Sequence, residues 1–343
     1  MRELDKINRP GFCLGKQIGR VCFAWMIFGQ VILSDAWAFP VETQQAQSNE
    51  AQALAHYVLG QVYDFLGLSN RAVLEFQQSA QLDPTVYFTN LRLGAAYARL
   101  GMLDDAKQAL RQAAESRPAD TQAHYLMALI YSTQKNYDQA AAEYELILRS
   151  LDANDPRGFE IHNYLAQLYY SQKKYPQAIA QFEKMLSLEP QNTDVMYFLG
   201  ALYFDSGKAE KAEKILLAAI VIDPEHDGCL NTLAYIYAEQ SRKLDQALAL
   251  VNRALKIAPD QGAYWDTLGW IYFRQGKTAQ ALEMLNKAGS LLADPVIFDH
   301  LGDVYAADHN LQKALAYWKM ALELDPEQKS VAQKIKEISR PHS

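Results

Sequence analysis

Eight tyrosines and eight alanines recur in step along this chain, and no other feature limits the fold as strongly. Tyr63, Tyr97, Tyr131, Tyr169, Tyr203, Tyr237, Tyr272 and Tyr305 follow one another at steps of 34, 34, 38, 34, 34, 35 and 33 residues. Ala72, Ala106, Ala140, Ala178, Ala212, Ala247, Ala281 and Ala314 keep the same register. Within one period, Trp265, Leu268, Gly269 and Tyr272 fall at i, i+3, i+4 and i+7, one face of a helix. Gly276 follows in a turn, where a residue without Cβ takes positive φ cheaply. Ala281, Leu285 and Ala288 repeat the helical spacing on a second helix. The small residues let the two helices approach closely. Pro84, Pro118, Pro190, Pro224, Pro259 and Pro326 mark repeat ends, because a proline forbids continuation of the helix before it. A lone helix pair cannot bury its apolar face, so such units must stack.

The stretch Trp265-x2-Leu268-Gly269-x2-Tyr272, with Gly276, Ala281, Leu285 and Ala288, resembles the tetratricopeptide repeat, a helix–turn–helix unit of 34 residues. The resemblance extends over about 275 of the 343 residues. It implies an all-α solenoid of eight repeats forming a right-handed superhelix, spanning residues 53–328. Residues 329–343 then supply a polar capping helix and tail, which an open solenoid end requires. The segment from Leu230 to Pro326 (LNTLAYIYAEQ, LDQALALVNRAL, DTLGWIYFRQGK, DHLGDVY) is similar to a group of bacterial cell-envelope proteins of this family. Two irregularities stand out. The loop Asp152–Gly158 supplies the 38-residue step and is a place for the array to bend, or to divide into blocks of three and five repeats. The sixth repeat carries one extra residue near Ser241–Leu244.

Residues 1–38 read as an export signal. Arg2, Lys6, Arg9, Lys16 and Arg20 precede an apolar run from Val21 to Leu33, and Ala36-Trp37-Ala38 has the small-x-small form of a cleavage site. The run is shorter than the ~20 apolar residues of a spanning helix. The alternative is a retained N-terminus anchored in the inner membrane by residues 21–37. Residues 39–52 read as a linker and the start of the first helix, with Ser48 as a candidate cap. Only Cys229 lies beyond the signal, so the mature chain is expected to form no internal disulfide. With the signal, the absence of any N-x-[ST] sequon fits a periplasmic location. The formal charge is −7. Residues 1–38 hold five of the 33 Lys/Arg and three of the 40 Asp/Glu, which leaves the remainder at −9. That balance argues against nucleic acid or an anionic membrane surface as the main partner.

No catalytic constellation emerges. Gly276-Lys277-Thr278 looks like the end of a phosphate loop, but Ile271 occupies the place of its first glycine and no strand precedes it. His56, His124 and His162 all take the fourth place of their repeats and read as core-edge side chains rather than metal ligands. Asp152, Asn154 and Asp155 lack the spacing of a calcium loop, which Pro156 interrupts. The expectation is a non-enzymatic chain with no metal and no small-molecule cofactor.

The resemblance implies instead a concave surface lined by the second, fifth, ninth and twelfth residues of each first helix. Those 32 positions hold nine aromatic residues, six acidic ones and no Lys or Arg. Average usage would place roughly three or four aromatics and three basic residues there. The candidate ligand groove is Tyr197, Phe204, Tyr235, Trp270 and Phe273, flanked by Asp194, Asp266 and Asp299. Trp270, at the ninth position and off the Leu268–Tyr272 core face, is expected to be dispensable for folding. The groove suits a protein or peptide segment of apolar and basic character. The functional expectation is a non-catalytic interaction scaffold of the bacterial cell envelope. The alternatives are a membrane-anchored assembly factor, touching membrane only through a retained N-terminus, and a polysaccharide-binding accessory subunit.

Overall fold

The computed structural model describes residues 41–152 and 155–338. The predicted signal, residues 1–38, lies outside them. Among the described residues there are seventeen helices and no strand. None of these helices is long and apolar enough to cross a membrane. The chain separates between Ser150 and Leu151 into two compact units. That boundary adjoins the Asp152–Gly158 loop and divides the repeats into three and five.

The first unit holds three helix pairs. They are α1 (Val41–Phe65) with α2 (Ser69–Leu82), α3 (Tyr87–Arg99) with α4 (Leu103–Ser116), and α5 (Gln122–Thr133) with α6 (Tyr137–Ser150). The second holds five: α7 (Arg157–Ser171) with α8 (Tyr175–Leu188), α9 (Thr193–Asp205) with α10 (Ala209–Ile222), α11 (Asp227–Glu239) with α12 (Leu244–Ile257), α13 (Gly262–Arg274) with α14 (Thr278–Leu291), and α15 (Pro295–Ala307) with α16 (Leu311–Leu324). The cap α17 (Lys329–Ile338) closes it and buries Val331. One boundary differs from expectation. The first helix already begins at Val41, so Ser48 lies inside it rather than capping it. Residues 41–52 lack apolar periodicity but are rich in Gln, Glu and Ala, whose helix propensity carries the helix outward.

The repeat register explains the packing. All eight ladder alanines are fully buried between the helices of their pairs. In the seventh pair a Cβ on Gly269 would lie 2.7 Å from Leu285 Cγ, so the helices meet closer than any side chain there would allow. Each α-helix before a marked proline ends two residues short of it, as at Leu82 before Pro84 and Ile222 before Pro224. The intervening residue leaves the helical region each time and is extended at Asp83, Asp223 and Asp325, as a following proline favours. The turns between paired helices need one left-handed residue. Gly67, Gly101, Gly207 and Gly276 supply it at φ 73 to 76°. Lys135, Lys173 and His309 take the same place at φ 58 to 59°, against the preference of a residue with a Cβ.

The extra residue of the sixth repeat falls where the spacing put it. Ser241 and Lys243 both adopt φ 51°, so this turn has two left-handed residues instead of one. Glu213 on α10 holds it. Arg242 Nη2 and Lys243 Nζ each donate to its carboxylate at 2.7 Å, as does the Tyr237 hydroxyl. The Arg242 hydrogen bond chiefly draws the Glu213 pKa down to about 2.

Candidate interaction surface

The first helices of neighbouring repeats in the second unit touch one another directly, α9 with α11, α11 with α13 and α13 with α15. The face they share is therefore the inner one of this unit. Four of the five predicted groove aromatics join there into one ladder. The Phe204 ring meets Tyr235 edge-on, with centroids 6.0 Å apart. Tyr235 lies 6.3 Å from the His300 imidazole, which stacks on Trp270 at 4.0 Å and 11°. Trp270 in turn lies 5.1 Å from Phe273. The ladder thus runs from the fifth repeat to the eighth, across α9, α11, α15 and α13. Phe204, Tyr235 and Phe273 stay partly exposed. Tyr197 is not part of it. Its ring lies 5.6 Å from His226, the residue that caps α11 by accepting from Cys229 N–H. Asp194 stands beside that pair, 3.3 Å from His226 Nε2 and largely exposed.

Three groove expectations need correction. Trp270 is only 7% exposed and fills the junction between the seventh and eighth repeats, so the fold uses it. The reason is His300. It projects from α15 onto the indole face, while the Arg274 guanidinium sits 5.6 Å from the ring centre. Asp266 is likewise interior, 5% exposed, with its carboxylate 2.9 and 3.1 Å from His300 Nδ1. Burial pushes the His300 pKa down, but the facing Asp266 carboxylate more than reverses this, and the net shift is upward. With a carboxylate as its partner, Nδ1–H is the donor, and the pair is closed off from solvent. The third carboxylate, Asp299, is occupied too. Lys334 of α17 reaches back to donate to Asp299 and Asp303, each at 2.7 Å. Its burial favours the neutral amine, but the two carboxylates outweigh that and raise its pKa. Asp303 also accepts from Trp318 Nε1 at 3.1 Å.

The acidic character of the face is carried by other residues. Burial first, then the charges of Glu239, Asp266 and Asp205, push the Tyr235 hydroxyl pKa up. Glu239 and Asp205 lie one position beyond the four groove positions, at the ends of α11 and α9, and sit beside the open rungs of the ladder. His300 and Lys334 were also invisible to positional analysis. His300 occupies the sixth position, outside the groove set, and Lys334 arrives from the cap. The only available signal was the excess of carboxylates at Asp299 and Asp303, which demanded a cation from somewhere.

The remaining motifs resolve as structure. His56, His124 and His162 each bond the second helix of their own repeat, through Glu75 at 2.7 Å, Glu143 at 2.6 Å and Gln181 at 2.7 Å. Gly276-Lys277 forms a helix–helix turn, with Lys277 Nζ 5.6 Å from the Tyr272 ring centre. Asp155 is paired with Arg157 at 2.6 Å, and Asn154 is outside the described residues. No group of His, Cys, Asp and Glu among the described residues is arranged to hold a metal ion.

Profiles of the tetratricopeptide repeat match residues 53–86, 91–156, 169–227 and 232–290, more than half of the chain. The chain belongs to the tetratricopeptide-repeat family. A TPR repeat-containing protein of Pseudomonas aeruginosa is 32% identical over 114 residues, 33% of this chain and 19% of that protein. A BBSome complex member BBS4 homolog of Drosophila melanogaster is 26% identical over 246 residues, 68% of this chain and 49% of that protein. The chain thus spans less than half the length of these relatives. Among solved structures, a tetratricopeptide repeat protein from Parabacteroides merdae superposes with a TM-score of 0.60. It is 17% identical and covers 73% of this chain and 97% of its own, which speaks to the fold alone. Proteins of this repeat family generally mediate protein–protein interaction.

Proposed function

We propose that this chain is a non-catalytic interaction scaffold, exported to a bacterial cell envelope, whose second unit holds a protein segment carrying apolar and basic side chains. The observation that carries the reading is the aromatic ladder. Phe204, Tyr235 and Phe273 lie partly exposed along contiguous first helices, and their inner neighbours Trp270 and His300 are locked by the Asp266 pair. Rigid aromatic anchors on such a face contribute most of the energy in protein recognition. Asp205 and Glu239 beside them, and the exposed Asp194 beside Tyr197 and His226, favour Lys or Arg on the partner and add association rate rather than bulk affinity. Every ionisable group described near the ladder is either paired or exposed, and none is arranged as a nucleophile with its base. Export rests on the sequence of residues 1–38 alone.

Two measurements test this proposal. Protein recovered from an envelope fraction should begin at Phe39, and finding Met1 or Arg2 there would remove the cleaved-export reading in favour of the anchored one. Affinity capture with the mature chain from the same extract should retain a partner that elutes with rising salt, because exposed carboxylates are screened over about 8–10 Å at physiological ionic strength. A captured partner that is an acidic glycan rather than a protein would contradict the scaffold reading.

A further inference from the structure

One ion pair of the second unit joins its first repeat to its last. Lys173 Nζ donates to the Glu327 carboxylate at 2.8 Å, across 154 positions of sequence. Lys173 stands in the turn between α7 and α8. Its backbone is left-handed at φ 58°, so a side chain is kept where Gly207 and Gly276 place none. Glu327 stands in the loop between α16 and α17, close to Asp325. The hydrogen bond and the charge of Glu327 raise the Lys173 pKa, and Asp325 adds to them.

These two sites lie on opposite edges of the array. Paired helices are antiparallel, so every turn within a pair falls on one edge and every loop between pairs on the other. The ion pair therefore sets the turn edge of the fourth repeat against the loop edge of the eighth. The edges meet because the five repeats wind through a full superhelical turn. The inner face shows the same curvature independently. α13 separates α11 from α15, and two steps of ~8–10 Å would hold their axes ~16–20 Å apart in a flat array. Yet the Tyr235 and His300 rings lie 6.3 Å apart, and the charge of Glu239 on α11 acts on His300 of α15. Five first helices at ~10 Å spacing around such a turn leave a lumen roughly 7 Å wide between helix surfaces. That is room for one extended chain and not for a helix of ~10–12 Å.

We propose that Lys173 and Glu327 form a salt-sensitive latch that closes the second unit around its inner face, so that its occupant is one extended protein segment, admitted sideways when the latch opens. The occupant rests on the binding face proposed above. The latch is weak by construction. Its side chains are 71% and 79% exposed, and exposed pairs contribute little and are screened by salt. Such a pair is suited to opening and closing rather than to holding the fold. Sideways entry needs no free chain end, so an internal segment of a long partner can be enclosed. Opening governs entry and exit alike, so the latch acts on both rates more than on affinity.

The test is zero-length carbodiimide cross-linking of the full chain without ligand, read by peptide mass spectrometry. The Lys243–Glu213 pair, held at 2.7 Å between adjacent repeats, is the internal reference. Relative to it, an amide joining Lys173 to Glu327 should form at about 20 mM salt and fall several-fold at about 1 M. Lys173→Glu should abolish the link, and adding Glu327→Lys should restore it, with unchanged circular dichroism because both sites are exposed. For a peptide enriched by display selection on this protein, Lys173→Glu should raise the association and dissociation rates together, several-fold each. Three results would overturn the proposal: a reference amide formed without the Lys173–Glu327 amide; a Lys173–Glu327 amide as abundant at high salt as at low; or peptide rates that Lys173→Glu leaves unaltered. The cross-link needs no ligand, so a failed latch and a failed binding face give different results.

Discussion

Replacing Asp266 by Asn isolates the charge that locks the ladder. The side chain keeps its shape, but the buried imidazole of His300 loses its counter-charge. Removing one member of a buried pair costs about 3–5 kcal/mol when the other must stay charged. His300 need not, because it can release its proton, so the cost is capped. Each unit by which the folded pKa of His300 falls on losing the carboxylate is worth about 1.4 kcal/mol. In the wild type this pKa is raised above its unfolded value of about 6.5. The contribution of the pair is therefore complete below that value and is lost as pH rises through the folded pKa. In the Asn variant burial opposes the imidazolium and only the more distant charges of Glu239 and Asp299 still favour it, so the stability gained from its protonation shrinks. The gap between the two proteins should be about 2–3 kcal/mol at pH 6. It should close to about 1 kcal/mol at pH 9, the value of one remaining hydrogen bond. Repeat arrays open locally, so the assay is native-state hydrogen exchange on α13 and α15 at both pH values, with α9 as the internal reference. A gap that does not change with pH, or that widens toward pH 9, would refute an ionised His300–Asp266 pair.

Three further outcomes follow from the packing. Trp270→Ala empties the junction over His300 and should cost about 3–5 kcal/mol, seen as loss of protection confined to the last two repeats; unchanged melting would restore Trp270 to an open groove. Lys135→Gly relieves a left-handed residue with a Cβ and should stabilise the third repeat by a few tenths to about 1 kcal/mol in urea unfolding, the glycine's extra chain entropy offsetting part of the gain; a loss of stability would contradict the strain. Glu213→Gln removes a carboxylate whose depressed pKa makes its contribution complete above about 4.5 and lost as pH falls toward 2. It should cost about 1 kcal/mol at neutral pH, a screened surface network, and nothing below pH 2, with acid titration of local exchange in α12 as the check.

The repeat architecture was legible because helix periodicity, turn glycines and terminal prolines all report one local geometry. Tyr203, Gly207 and Ala212 together leave little choice about where α9 ends and α10 begins. The site was legible only in part. Positions two, five, nine and twelve locate a face, and Phe204, Tyr235 and Phe273 do lie on it. Whether a given residue on that face is open depends on what crosses from the next repeat, and periodicity carries no information about that. His300 lands on Trp270 because α15 packs against α13, and Lys334 lands on Asp299 because the cap folds back. Both are contacts thirty or more residues apart in sequence, made by side chains outside the repeat consensus. The acidic residues that remain beside the open rungs, Asp205 and Glu239, sit one position past the pattern and were passed over for that reason.

The most direct test of the interaction surface is selection of a displayed random-peptide library on the purified protein, followed by isothermal titration of an enriched peptide against the wild type and Phe204→Ala. Phe204 is partly exposed and contributes to the ladder only through its contact with Tyr235. The enriched peptides should combine aliphatic or aromatic residues with Lys or Arg. Phe204→Ala should bind at least tenfold more weakly, about 1.4 kcal/mol, with its helix content unchanged. Peptides without a basic bias, or equal affinity for the wild type and Phe204→Ala, would contradict a binding face built on this ladder.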